Sequence, residues 1–143
     1  MIVSALLASL GFYCILPAPA YGTPPNEYGS PSATFKARGF VVSEEDDSPI
    51  EGIRVELKRT ISSFYAIDRT YTGSDGFFFL QGSDFPVRKL YVEFIDVDGE
   101  TNGLFERKVI EADYSNETFT GSSGAWYDGS AEIDLGIIKM KPE

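Results

Sequence analysis

The sequence predicts an all-β domain, a sandwich of about seven antiparallel strands. Apolar and polar residues alternate with period two in at least four segments, the mark of half-buried strands. Strong turn dipeptides, Asp75-Gly76 and Asp98-Gly99, separate such runs. No segment carries a 3.6-residue apolar stripe longer than two turns, and there is no internal repeat. Short strands with short loops favour an immunoglobulin-like sandwich over a helical layout.

Residues 1–16, MIVSALLASLGFYCIL, are apolar and uncharged, too short for a membrane span of roughly 20 residues but suited to the core of a secretory signal. Two processing sites compete. Gly11-Phe12-Tyr13-Cys14 resembles a loose bacterial lipobox with Cys14 as the lipidated residue, although Tyr13 stands where a small residue is usual. Ala18-Pro19-Ala20 has the small-x-small form of an ordinary cleavage site. The lone Cys at the end of an apolar run favours the lipobox, making 1–13 the signal. Residues 14–33, rich in Pro, Gly, Ser and Asn, then read as a flexible tether to a domain at 34–141.

Within that domain, Phe35, Ala37, Gly39 and Val41 share one face of the first strand, with Lys36 and Arg38 on the other. Ile53, Val55 and Leu57 alternate with Arg54, Glu56 and Lys58 after the acidic loop Glu44-Glu45-Asp46-Asp47. Shorter strands are expected at 66–72, 77–81 and 105–111. The run Phe77-Phe78-Phe79-Leu80 reads as a central strand covered on both faces. Leu90, Val92 and Phe94 form another inward face. Ile133 and Leu135 open the last strand, where a slip at Gly136 predicts a β-bulge that keeps Ile138 and Met140 inward.

The chain has 143 residues, 12 Lys plus Arg against 22 Asp plus Glu, and no His, for a net charge of −10. That acidity argues against a nucleic-acid partner, which needs clustered cations. One Cys excludes an internal disulfide and a Cys-cluster metal site, and the lack of His removes the usual general base. Ser122 and Ser123 have no evident base. The reading is non-catalytic and implies no cofactor.

Three constellations compete with simpler uses. Asp96, Asp98, Glu100 and Asn102 form a candidate Ca²⁺ site of hard oxygen donors, but their spacing is not that of an EF-hand, and an Asx-type turn ending a strand is the simpler use. Trp126 and Tyr127 are candidate ligand-binding residues able to stack on a sugar ring. Their simpler use is to fold a long loop back onto the sandwich. Lys36 and Lys58 raise an intramolecular isopeptide bond, yet both fall on polar strand faces.

The residues also resemble known families. Gly39-Phe40-Val41-Val42, then Ser48-Pro49-Ile50-Glu51-Gly52-Ile53-Arg54-Val55, then Thr72-Gly73-Ser74-Asp75-Gly76-Phe77 resemble the carboxypeptidase-regulatory-like domains, which implies a transthyretin-like seven-stranded sandwich. The stretch Tyr28-Gly29-Ser30-Pro31-Ser32-Ala33-Thr34-Phe35, the loop Asp96-Val97-Asp98-Gly99-Glu100-Thr101-Asn102-Gly103 and the segment 121–129 are similar to lipoproteins associated with radical SAM proteins in Bacteroidetes-type bacteria. That resemblance implies a cell-envelope lipoprotein, in the outer rather than the inner membrane, anchored at Cys14. It would act as a binding or accessory module linked to a radical SAM protein. A carbohydrate-binding or adhesin-like surface domain and a substrate of the radical SAM partner are the alternatives. The expected partners are thus the membrane, through the lipid, a radical SAM protein, and a glycan or protein ligand.

Overall fold

The computed structural model describes residues 30–143. The segment read as a signal, Cys14 and most of the segment read as a tether lie outside the described residues. Seven strands follow in order: β1 Ser32–Ser43, β2 Ile53–Lys58, β3 Asp68–Tyr71, β4 Phe77–Asp84, β5 Lys89–Asp96, β6 Lys108–Asp113 and β7 Tyr127–Met140. They form a three-stranded sheet, β4-β1-β7, and a four-stranded sheet, β3-β2-β5-β6. The expected all-β, seven-strand sandwich is what the chain forms.

The core lies between the inner faces. Phe35, Ala37 and Val41 of β1, Phe78 and Leu80 of β4 and Met140 of β7 face Val55, Leu57, Val92 and Phe94 of the other sheet, all buried. The rings pack edge to face, Phe35 on Tyr114 at 5.0 Å between centroids and Phe78 on Phe94 at 5.4 Å. Tyr114 is fully buried and donates its hydroxyl to the Lys36 carbonyl at 2.7 Å. Burial pushes its phenol well up from the ordinary value, and the Glu117 and Glu132 charges add to the effect.

One pairing is not antiparallel. β1 and β7 run parallel, joined through β4 and all four strands of the second sheet, a connection long enough for a parallel crossover. Their register shifts between Arg38 and Phe40 at the expected bulge, and Gly136 there has φ +72°. A second shift lies between Ser32 and Thr34, opposite Gly129. Gly129 has φ +100°, and a Cβ there would stand 2.4 Å from the Thr120 carbonyl oxygen, so no other residue fits without movement. Ser32 and Ala33, read from sequence as tether, already belong to β1, because Ala33 is buried and pairs with Asp84.

The run Phe77–Leu80 is not a central strand. β4 is an edge strand of its sheet, with Phe78 and Leu80 inward and Phe77 and Phe79 outward and partly exposed. Its free edge is capped where Gln81 N–H donates to Asp68 at 2.9 Å. Asp68 belongs to β3 of the other sheet.

Candidate functional site

Strand direction gives the sandwich two chemically different ends. β1 starts at the proximal end, and three loops join it there: 59–67, 85–88 and 114–126. The distal end carries loops 44–52, 72–76 and 97–107. The distal loops hold nine carboxylates and a single cation, Arg107. The proximal loops hold one carboxylate, Glu117, and two arginines, Arg59 and Arg88.

The proximal end is also where large apolar side chains stand out. Phe64 is 97% exposed and Tyr65 85%, and Ile61, Phe85 and Trp126 are about half exposed. Loop 59–67 is not loose chain. Ser63 accepts from Tyr65 N–H at 3.1 Å and donates to the Tyr65 carbonyl at 3.0 Å, a local turn that displays Phe64 and Tyr65. Arg59 pairs with Asp84 through both carboxylate oxygens and lies over the Phe85 ring at 4.9 Å. The hydrogen bonds from Arg59 hold the Asp84 carboxyl below the usual carboxylate range. Ile67 N–H donates to the Leu57 carbonyl at 2.6 Å and closes the loop.

Trp126 and Tyr127 lie at this same end but part company. Tyr127 shares a 2.8 Å hydrogen bond between its hydroxyl and that of Thr34, and is partly buried. Trp126 keeps its backbone for β1, accepting from Ser32 N–H at 2.8 Å, while its ring stays 42% exposed. Tyr127, through Thr34, and Tyr114 and Phe119, through the core, hold the long loop on the sandwich. Phe119 packs edge-on against Phe35 at 5.6 Å. Close by is a cleft of about 310 Å³ lined by Pro86, Val87, Arg88, Glu117, Phe119 and Asp128.

At the distal end, Asp96, Asp98, Glu100 and Asn102 mark the turn after β5. Asp96 accepts from the N–H groups of Asp98 at 3.3 Å and Phe105 at 3.0 Å, one on each oxygen. Asp98 accepts from the Asn102 amide at 3.1 Å, with Asn102 itself at φ +63°. Burial, followed by the neighbouring Asp98, raises the Asp96 carboxyl above the usual range. Glu100 is exposed. Among the described residues no group of three His, Cys, Asp or Glu side chains is arranged to hold a metal ion.

Both broad faces carry features that local sequence does not reveal. On the outer face of the four-stranded sheet, Glu56 and Glu93 stand opposite each other and are nearly buried. Lys58 Nζ donates to Glu93 at 2.7 Å and lies 3.7 Å from Glu56. Arg107 completes the Glu93 pair and Arg69 donates to Glu56 at 2.7 Å. Arg54 Nε lies 3.1 Å from Glu56 but is misaligned for a hydrogen bond. Burial pushes the Glu93 carboxyl up, but the hydrogen bonds from Lys58 and Arg107 outweigh it and leave it below the usual range. Lys58 is thus held by glutamates, whereas an isopeptide bond needs Asn or Asp. On the outer face of the three-stranded sheet, Phe77, Phe40 and Ile137 form a row across β4, β1 and β7. The Phe40 and Phe77 rings are 5.3 Å apart and Ile137 is 65% exposed. The next row is Phe79, Arg38 and Asp134, with Arg38 Nη2 3.6 Å from the Asp134 carboxylate.

Neither a family model nor a curated protein matches the chain. Among solved structures it is similar to 5-hydroxyisourate hydrolase of Klebsiella pneumoniae, at 13% identity and a TM-score of 0.44, over 76% of this chain and 90% of that one. It is similar to a 9R-lipoxygenase from Cyanothece PCC8801 at 16% identity and 0.41, over 73% of this chain and 16% of that one. It is also similar to the dioxygenase domain of a dioxygenase carbohydrate-binding protein fusion from Streptomyces sp. SirexAA-E, at 16% identity and 0.39, over 77% and 82%. No activity or site passes from these proteins to this chain, and its fold class stands on the two sheets described above.

Proposed function

We propose that the protein is a non-catalytic, lipid-anchored lipoprotein of the cell envelope, held at Cys14, whose sandwich serves as a binding or accessory module for a radical SAM protein. The observation that carries this reading is the exposed Phe77–Phe40–Ile137 row, set on strands rather than on loops. An apolar row fixed by a sheet offers a partner a surface that needs little ordering on binding. Phe40 and Phe77 sit there as aromatic anchors of the kind that dominate protein interfaces. The anchor itself rests on the apolar run ending at Cys14 and on the resemblance to radical SAM-associated lipoproteins.

Metabolic labelling with an alkyne fatty acid tests the anchor. Label on the wild-type chain that disappears in Cys14→Ser supports it, and an unlabelled wild-type chain contradicts it. Co-purification of the radical SAM protein tests the partner. Recovery with wild type and loss with Phe40→Ser/Phe77→Ser is expected, and equal recovery with both removes the row as the contact.

A second reading is a carbohydrate-binding surface domain with Trp126 as the platform. The exposed Trp126 ring favours it, together with the nearby cleft bearing Arg88, Glu117 and Asp128. Titration with glycans decides. Binding lost in Trp126→Ala supports this reading, and no binding, or binding unchanged by the substitution, removes it.

A further inference from the structure

We infer that the proximal loops form an apolar rim that seats the sandwich on the bilayer interface, with Phe64, Tyr65, Ile61, Phe85 and Trp126 as its contacts and the acidic loops held away from the lipid. The inference rests on the lipid anchor at Cys14 proposed above. It goes beyond that anchor, which fixes the chain to the membrane but not the pose of the domain.

Three observations converge on a lipid surface as the occupant. The first is where the preceding chain joins the domain. Seventeen residues lie between Cys14 and Ser32, and Ser32 starts β1 at the proximal end. A strand as long as β1 spans about 40 Å. The proximal loops are therefore the end of the sandwich nearer the anchored residue, by about the length of that strand.

The second is composition. The two most exposed large apolar side chains of the described residues, Phe64 and Tyr65, stand together on one proximal loop. Three further apolar side chains share that end, on all three loops. Aromatic rings with a polar tip, such as Trp and Tyr, favour the level of the lipid headgroups. The third is charge. Anionic lipid repels carboxylates and attracts Arg. Glu117 is the sole carboxylate of the proximal loops, whereas the distal loops hold nine. Glu44, Glu45, Asp46 and Asp47 of the first distal loop would be driven from the surface by the same field that tolerates Arg88, while Arg59 is neutralised by Asp84. The local turn at Ser63 and the Arg59–Asp84 pair hold the rim in shape without lipid.

Trp126 is the chain's single Trp, so its fluorescence reports on the rim alone. The test takes the full mature chain, purified with whatever acyl groups its intact mass shows. It is reconstituted in vesicles of phosphatidylethanolamine and phosphatidylglycerol with brominated acyl chains. Loss of Trp126 emission to the bromolipid, shielding from acrylamide, and reversal of both in Phe64→Ser/Tyr65→Ser support the rim. Both substituted side chains are exposed, so the variant keeps its core. An acylated chain whose Trp126 stays open to acrylamide and is not quenched by bromolipid overturns the rim while the anchor stands. A chain without acyl groups removes the anchor, and absence of quenching in that chain overturns the rim as well. Shielding that grows with protein concentration in the absence of vesicles would mean that a second copy covers Trp126, and it too overturns the inference.

Discussion

At the scale of single residues, several side chains take their surroundings from other strands. Glu93 lies on the face that alternation assigns to solvent, yet it is only 5% exposed. Its burial comes from Lys58 of β2 and Arg107 before β6, brought together by register. Nothing within the local run Lys89–Asp96 reports them, so the sequence shows a polar face and not an ion-pair network. Because its carboxyl titrates below the usual range in the folded chain, Glu93 adds stability that is present above its unfolded value and is lost as pH falls through its lowered folded value. Glu93→Gln should flatten that part of the acid limb of a stability curve. At neutral pH it should cost about 2 kcal/mol, less than a fully buried pair, since Arg107 is half exposed. Chemical denaturation across pH checks both, and an unchanged acid limb contradicts the assignment. Gly76 gives a steric case. It has φ +80°, and a Cβ would stand 2.4 Å from the Val41 carbonyl oxygen. Gly76→Ala should therefore cost roughly 2–3 kcal/mol in denaturant unfolding, and a loss under about 0.5 kcal/mol would show that the turn relaxes freely.

At the scale of elements, the inward faces were legible because a period of two is a local property. Phe35, Ala37 and Val41, then Ile53, Val55 and Leu57, then Leu90, Val92 and Phe94 are all buried as read. The bulge at Gly136 was legible too, since a slip in alternation is written in the strand itself. The edge position of β4 was not legible. Four consecutive apolar residues look alike whether their second face is covered or bare, and only sheet order decides. The bare face is the one on which Phe77 meets Phe40. Breaking that exposed pair with Phe77→Ser should lower stability by about 1 kcal/mol, from the ring contact and partial burial. It should weaken partner binding far more. A stability loss near 3–5 kcal/mol, typical of a core Phe, would show that the face is covered after all. In the turn after β5, Asp96 gives both oxygens to backbone N–H groups. Ca²⁺ at about 1 mM, the range of extracellular modules, should therefore leave the melting temperature unchanged, and a clear rise would restore the site as a metal centre.

At the scale of the whole molecule, the division between an aromatic proximal end and an acidic distal end is the feature with most consequence. Sequence alone displayed the acidic loop 44–47 and the pair Trp126-Tyr127. It did not display that loops 59–67, 85–88 and 114–126 meet at one end, because their proximity follows from strand direction. Phe64 and Tyr65 could have been singled out as an aromatic pair in a loop without carboxylates, but alone they would have signified nothing. Their weight comes from sharing an end with Ser32, where the preceding chain arrives. The proposed attachment of this sandwich to a membrane through Cys14 underlies that division's use. The most direct measurement is the intact mass of the mature chain extracted from membranes of its own cells. A chain beginning at Cys14 and carrying acyl groups is the expected result. A chain beginning at Tyr21, after cleavage at Ala20, with no added mass would contradict it.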